Sequence, residues 1–170
     1  ATSGNITVQG ENVCGTGTLS TLSITVNPLP ADAVSVNGDF IVCQGETGVM
    51  YVCTAIANAT TYNWTLPSGA TIAQNLGDTI YVDFSAVALS GDLTVYGSNA
   101  TCGDGQSQSF AVTVNPLPAD AGAVSGSASL TRCPLSTGIM YTVPVIANAT
   151  SYSWTIPPGG SIIGGNGNDT

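Results

Sequence analysis

The sequence predicts an all-β protein built from tandem β-sandwich repeats of about 88 residues. Three observations carry that expectation. The same strings recur in order at nearly constant spacing. Apolar residues alternate with polar ones at a period of two, in runs too short for helices. Gly, Asn, Asp and Pro interrupt those runs at short intervals, as turns between strands require.

The recurrence sets the organisation. Val26-Asn27-Pro28-Leu29-Pro30-Ala31-Asp32-Ala33 returns as Val114-Asn115-Pro116-Leu117-Pro118-Ala119-Asp120-Ala121, 88 residues later. Ile56-Ala57-Asn58-Ala59-Thr60 returns at Ile146–Thr150, and Tyr62-Asn63-Trp64-Thr65 as Tyr152-Ser153-Trp154-Thr155, both after 90 residues. Ser3–Val8 matches Ser90–Val95 at a spacing of 87. Residues 1–26 therefore correspond to the second half of a repeat, 31–114 to a complete one and 119–170 to the first half of another. The Asn-Pro-Leu-Pro segments at 27–30 and 115–118 are linkers. Paired prolines fix φ and restrict the residue before them, so each linker is a short, stiff joint, and stiff joints between compact units make a rod.

The strand signals follow in order. Leu22, Ile24 and Val26 alternate with polar neighbours in the first part. In the complete repeat Ile80, Val82 and Phe84 alternate with Tyr81 and Asp83, and Leu93 and Val95 with Thr94 and Tyr96. Phe110, Val112 and Val114 alternate with Ala111 and Thr113. Tyr62 and Trp64 lie two apart and share one strand face, either as core across the sandwich or as a platform for stacking a sugar. Several short strands in one repeat suit a sandwich.

Composition bounds the function. Charged residues are only 6% of the 170, with no His, and Arg132 is the one basic side chain. A surface of Ser, Thr, Asn and Gly follows, polar without ion pairs and poor in tryptic sites, as suits life outside a cell. The net charge of −9 argues against nucleic acid and against anionic membranes. No apolar run approaches the length of a membrane span, so membrane insertion is not expected. Without His or Lys the Ser-His-Asp, Cys-His and Ser-Lys arrangements are unavailable, and the scattered carboxylates form no evident pair, so enzymatic activity is not expected.

Three strings carry a family resemblance: Val42-Cys43-Gln44-Gly45-Glu46-Thr47-Gly48-Val49-Met50-Tyr51, Ala59 through Ala70, and Ser90-Gly91-Asp92-Leu93-Thr94-Val95-Tyr96-Gly97. With the Asn-Pro-Leu-Pro joint, they resemble the PKD-like repeats of giant secreted and cell-surface proteins of Bacteroidota. The resemblance covers essentially the whole chain. It implies an immunoglobulin-like fold, an extracellular or cell-surface location often reached by type 9 secretion, and a role in adhesins, filaments or stalks. It specifies fold better than function, because the same modules serve as spacers in exported enzymes.

Five cysteines fall into two repeat-equivalent pairs and one singleton. Cys43 corresponds to Cys133, and Cys14 to Cys102. One complete repeat thus carries an early and a late cysteine, and a Cys43–Cys102 disulfide is expected; closing such a loop is worth about 4 kcal/mol in the chain-entropy model. Cys53 has Val143 as counterpart and is expected to be a free buried thiol. Cys14 and Cys133 each sit in a half repeat. If the two halves complete one domain, a Cys14–Cys133 bond joins neighbouring units. Two arrangements stay open: a stretch of a longer continuous array, or a subunit that polymerises head to tail by strand complementation.

Further candidates are modifications and ions. Asn-X-Ser/Thr sequons occur at Asn5, Asn58, Asn63, Asn99, Asn148 and Asn168. Asp78-Thr79-Ile80 resembles the Asp-Ser/Thr-apolar O-glycosylation pattern of Bacteroidota, and Asp169-Thr170 is its counterpart, which makes Thr79 and Thr170 candidates. No cofactor is expected; Asp32 and Asp120, just after the joints, are weak Ca²⁺ candidates. Gly164-Gly165-Asn166-Gly167-Asn168-Asp169 fits a calcium-binding nonapeptide, but a single copy reads as a glycine-rich hairpin loop. The expected role is a structural segment of an extracellular bacterial filament or adhesin stalk. The alternatives are a carbohydrate- or surface-binding module and a spacer of an exported enzyme.

Overall fold

A computed structural model describes residues 1–130, 137–165 and 167–169. Among these residues the structure is all-β. The first part contains β1 (Gly4–Val8), β2 (Glu11–Asn12), β3 (Gly15–Thr16) and β4 (Ser20–Ile24). β1 pairs antiparallel with β4, and β2 with β3, so residues 4–24 form one long hairpin with a short second rung.

Nine strands belong to the complete repeat: β5 (Val36–Gly38), β6 (Ile41–Cys43), β7 (Val49–Cys53), β8 (Thr61–Thr65), β9 (Ala70–Asn75), β10 (Thr79–Phe84), β11 (Gly91–Asn99), β12 (Gly103–Asp104) and β13 (Gln108–Asn115). One sheet has the order β5-β7-β10-β9. The facing sheet runs β12-β11-β13-β6, with β8 on the other side of β11. Every pair is antiparallel except β13 with β6, which is parallel. This is an immunoglobulin-like sandwich, tandemly repeated in sequence.

The period-two pattern places the core. Val49, Tyr51 and Cys53 of β7, Ile80, Val82 and Phe84 of β10, and Leu93 and Val95 of β11 all face inward and are buried. Each such burial contributes roughly 1.5–3 kcal/mol. The ring of Phe40 lies 5.5 Å from that of Tyr51 and 6.2 Å from that of Phe110. Tyr62 and Trp64 are partly buried against the core. The indole N–H of Trp64 donates to Gly77 O at 2.9 Å and so ties β8 of one sheet to the β9–β10 turn of the other. In that turn Gly77 has φ +95° and donates its N–H to Asn75 Oδ1 at 2.9 Å. All buried and packed side chains of this cluster come from residues 33–114, so the repeat closes its own core and folds as a self-contained unit.

The third part, 119–169, keeps the local framework of a repeat but few of its strands. Tyr141 Oη donates to Ser127 O at 2.9 Å, as Tyr51 Oη does to Asp39 O at 2.6 Å. Tyr152 Oη accepts the Ile146 N–H at 3.0 Å, as Tyr62 Oη accepts that of Ile56 at 3.1 Å. Asn148 and Asn58 share the same left-handed φ of 64°. Ladder pairing among its described residues is the single Ser125–Thr142 bridge.

Candidate functional site: the joints and the open half repeat

The two joints are flanked by the same bonds on both sides. Before the joint, Ser3 Oγ accepts the Val26 N–H at 3.0 Å, and Ser90 Oγ accepts that of Val114 at 2.9 Å. After it, Ala31 N donates to Ala57 O and Ala119 N to Ala147 O, both at 2.9 Å. Asn58 Nδ2 reaches Leu29 O at 3.4 Å, and Asn148 Nδ2 reaches Leu117 O at 3.3 Å. Gln44 then holds the second joint to the repeat before it, its Oε1 accepting from Leu117 N at 3.1 Å. Asn99 holds the first joint to the repeat after it. Its Nδ2 donates to Asn58 O at 2.8 Å and Pro28 O at 3.5 Å, while its Oδ1 accepts from Thr101 N and Cys102 N. Gly105 permits the close approach: a methyl group there would lie 2.9 Å from Pro30 O. The stiffness expected from two prolines is thus reinforced by hydrogen bonds to the following part at both joints and, at the second, to the repeat before it as well.

Gln44, Asn99 as an anchor, and Gly105 escape a sequence reading, because their partners lie far away in the chain. A signal existed nonetheless. Asn12 and Gly17 are the counterparts of Asn99 and Gly105, and they repeat the local geometry: Asn12 Oδ1 accepts from Cys14 N at 2.8 Å, and Gly17 N donates to Gly10 O at 2.8 Å.

The expected Cys43–Cys102 disulfide does not form. Both are free thiols, at opposite ends of the sandwich. Cys43 ends β6 and is paired in register with Asn115, at the exit joint. Cys102 lies beyond the far end of β11, and its Sγ is 3.1 Å from Asn27 O, at the entry joint. The nine residues of β11 span about 26 Å, whereas a disulfide needs Cα atoms roughly 4.4–6.8 Å apart. An early and a late cysteine in one repeat need not meet, because β6 runs parallel to β13 and leaves Cys43 at the exit end. Cys53 is a buried free thiol whose Sγ donates to Thr54 O at 3.2 Å. Burial, and then the charge of Asp78, push its pKa up from the usual thiol value. Cys14 is an exposed free thiol in the β2–β3 turn, and Cys133 lies outside the described residues.

In 119–169, a groove of about 340 Å³ opens between Pro118, Val143, Ile146, Ala149, Tyr152 and Trp154. In the complete repeat the counterparts Ile56 and Ala59 are covered by β11, and Tyr62 and Trp64 lie on the strand paired with it. There Gly97 sits so close that a methyl group would lie 2.6 Å from Ala59 Cβ and 2.9 Å from Ile56 Cγ2. The hairpin of residues 4–24 shows the converse. Ile6 is 61% and Val8 68% exposed, while their counterparts Leu93 and Val95 are fully buried. Pro30 is buried, whereas its counterpart Pro118 is exposed.

A family model described as a PKD-like domain matches residues 29–112 and again residues 117–170. The chain belongs to the PKD-like domain family. Both matches begin at the Leu-Pro of a joint, the dipeptide that docks onto the repeat after it. No curated protein matches the chain closely enough to count as a relative.

The remaining candidates are spread over the PKD-like repeats. Asn5 is exposed on β1 and accepts from Ser23 Oγ at 2.9 Å. Asn58 and Asn148 are exposed but engaged at the joints, and the Asn99 amide is fully engaged. Asn63 is half-buried with Nδ2 on Ser98 Oγ at 3.0 Å. Asn168 is exposed, and its backbone oxygen accepts the Trp154 indole N–H at 2.9 Å. Thr79 is half-buried at the β9–β10 turn, its hydroxyl on Asp78 Oδ1 at 3.0 Å. Thr170 lies outside the described residues, as does Asn166 of the glycine-rich loop. Asp32 and Asp120 are exposed, and neither belongs to a group of three or more potential metal ligands among the described residues.

Proposed function

We propose that this chain is a structural segment of an extracellular bacterial filament or adhesin stalk, in which PKD-like repeats follow one another head to tail. Its work is mechanical rather than catalytic. The observation that carries this is the fit between its two half repeats. The groove of 119–169 has the residues that seat β11, and the hairpin of residues 4–24 has the shape and apolar face of β11 with β13. Gly10, the counterpart of the closely packed Gly97, has open space around it in the hairpin. A repeat completed from such halves buries Ile6, Val8 and Ile24 as Leu93, Val95 and Val112 are buried. The occupant of the groove is the second half of a PKD-like repeat, supplied by the continuing chain or by another copy. Docked joints on both sides favour a rod over a flexible string.

Electron microscopy of the native material tests the proposal. Unbranched rods with a regular axial repeat are expected, and isolated globules would overturn it. Gels run with and without reductant separate the two arrangements. A ladder that collapses to the 17.0 kDa chain on reduction indicates subunits. A very large band that survives reduction indicates a continuous array.

A further inference from the structure

Asn27 and Asn115 occupy the same place at the start of two joints that are docked alike, so geometry seen at one transfers to the other. At the second joint, Cys43 is the register partner of Asn115, and the following amide, Gln44 N, donates to Asn115 O at 2.9 Å. At the first joint, Cys102 Sγ lies 3.1 Å from Asn27 O. These are equivalent oxygens. Where a complete repeat stands on each side of one joint, the backbone next to the earlier repeat's Cys43 and the later repeat's Cys102 thiol converge on one carbonyl. The two bonds place that amide nitrogen and that sulfur within about 6 Å of each other, and Cys43 Cα is only about 2.4 Å further along the backbone. Cys43 is exposed, on the opposite face of β6 from buried Val42. These sums are upper limits, and the span below them includes the Cα separation of roughly 4.4–6.8 Å that a disulfide needs.

We propose that successive repeats are stapled across each joint by a disulfide between the Cys43-type cysteine of one and the Cys102-type cysteine of the next. The two thiols give up two protons and two electrons to a disulfide oxidant by thiol–disulfide exchange. One S–S bond forms between the repeats, the oxidant's S–S bond breaks, and the oxidant leaves as its two reduced thiols. Cys14 and Cys133 are by sequence the counterparts of Cys102 and Cys43. When the half repeats of two chains or two segments combine, Cys43 pairs with Cys14, and Cys133 with Cys102. That replaces the expected Cys14–Cys133 bond. The staple gives each joint a second covalent path beside the backbone, so tension along the rod does not rest on the proline segment alone. It rests on the serial order of the repeats, not on the filament role.

A two-repeat protein tests it, made of residues 27–118 followed by 31–118 so that two self-contained sandwiches share one joint. In the first version, Cys102→Ser in the leading repeat and Cys43→Ser in the trailing repeat leave one cysteine beside the shared joint on each side, and the buried Cys53 of each repeat is kept throughout. In the second version the substitutions are exchanged, which leaves the cysteines at the two outer ends. A single repeat, residues 27–118, keeps both. After oxidation with glutathione disulfide, free thiols are capped and counted, and unreduced peptides are mapped by mass spectrometry. The first version is expected to lose two cappable thiols and to yield one linked Cys43–Cys102 peptide pair. The second version and the single repeat are expected to lose none. An unlinked first version, or a bond within the single repeat, overturns the proposal. Because these proteins need not assemble, the result is independent of whether native filaments are seen.

Discussion

Tyr51 shows how one polar atom is fitted into an otherwise apolar core. Its ring is fully buried, and its hydroxyl donates to Asp39 O at 2.6 Å. Burial, then the nearby charges of Asp39 and Glu46, push its pKa up from 10.0 to about 12. The folded state therefore holds the phenolic proton where the unfolded chain would release it. The stability contributed by the neutral phenol is complete below about pH 10 and is lost as pH rises through about 12. Chemical denaturation across this range is expected to show falling stability above pH 10. Tyr51→Phe should lose about 0.5–1.5 kcal/mol at neutral pH, through the deleted hydrogen bond, and remove most of the alkaline decline. The Cys53 thiol is raised in the same direction by burial, so a smaller alkaline decline remains in that variant.

At the scale of elements, the same hairpin occurs twice in two environments. β11 with β13 lies under the facing sheet, and β1 with β4 lies open. Their registers agree: Gly4 pairs with Ile24 as Gly91 pairs with Val112. Leu93→Ala should cost about 2–5 kcal/mol, because it empties a fully buried site in the complete repeat. Ile6→Ala should cost under about 0.5 kcal/mol in the isolated chain, and as much as Leu93→Ala once residues 1–26 are covered by the first half of a repeat. Denaturant melts of the two variants, alone and in the assembled material, check both. The strands were legible from alternation at Leu93, Val95, Val112 and Val114 because pleating sends every second side chain to one face. In 119–169 the string Ile146–Thr150 keeps the turn of Ile56–Thr60, but Tyr152–Thr155 forms no strand, because the ladder partner of β8 is β11, and among the described residues nothing equivalent pairs with it.

For the whole molecule, the joints decide whether repeats make a rod. Asn99 binds the joint through Pro28 O and binds its own repeat through Asn58 O. Asn99→Ala is expected to lower stability by about 1–3 kcal/mol through the loss of its hydrogen bonds to Asn58 O, Thr101 N and Cys102 N, and to loosen the joint. Small-angle scattering of the chain should then show a broader distance distribution; an unchanged distribution would mean that the prolines alone set the stiffness.

The sequence by itself determined the repeat, its stiff proline joints, its strand alternation and its family, because these depend on local order and on identical strings at fixed spacing. It also suggested that Cys43 and Cys102 pair within one repeat. Only the tertiary structure decided where they stand, since the parallel pairing of β6 with β13 carries Cys43 to the exit joint while β11 carries Cys102 to the entry joint. Strand direction within a sheet is a non-local property, settled by which edges pair across the folded sandwich. No count of cysteines along the chain contains it.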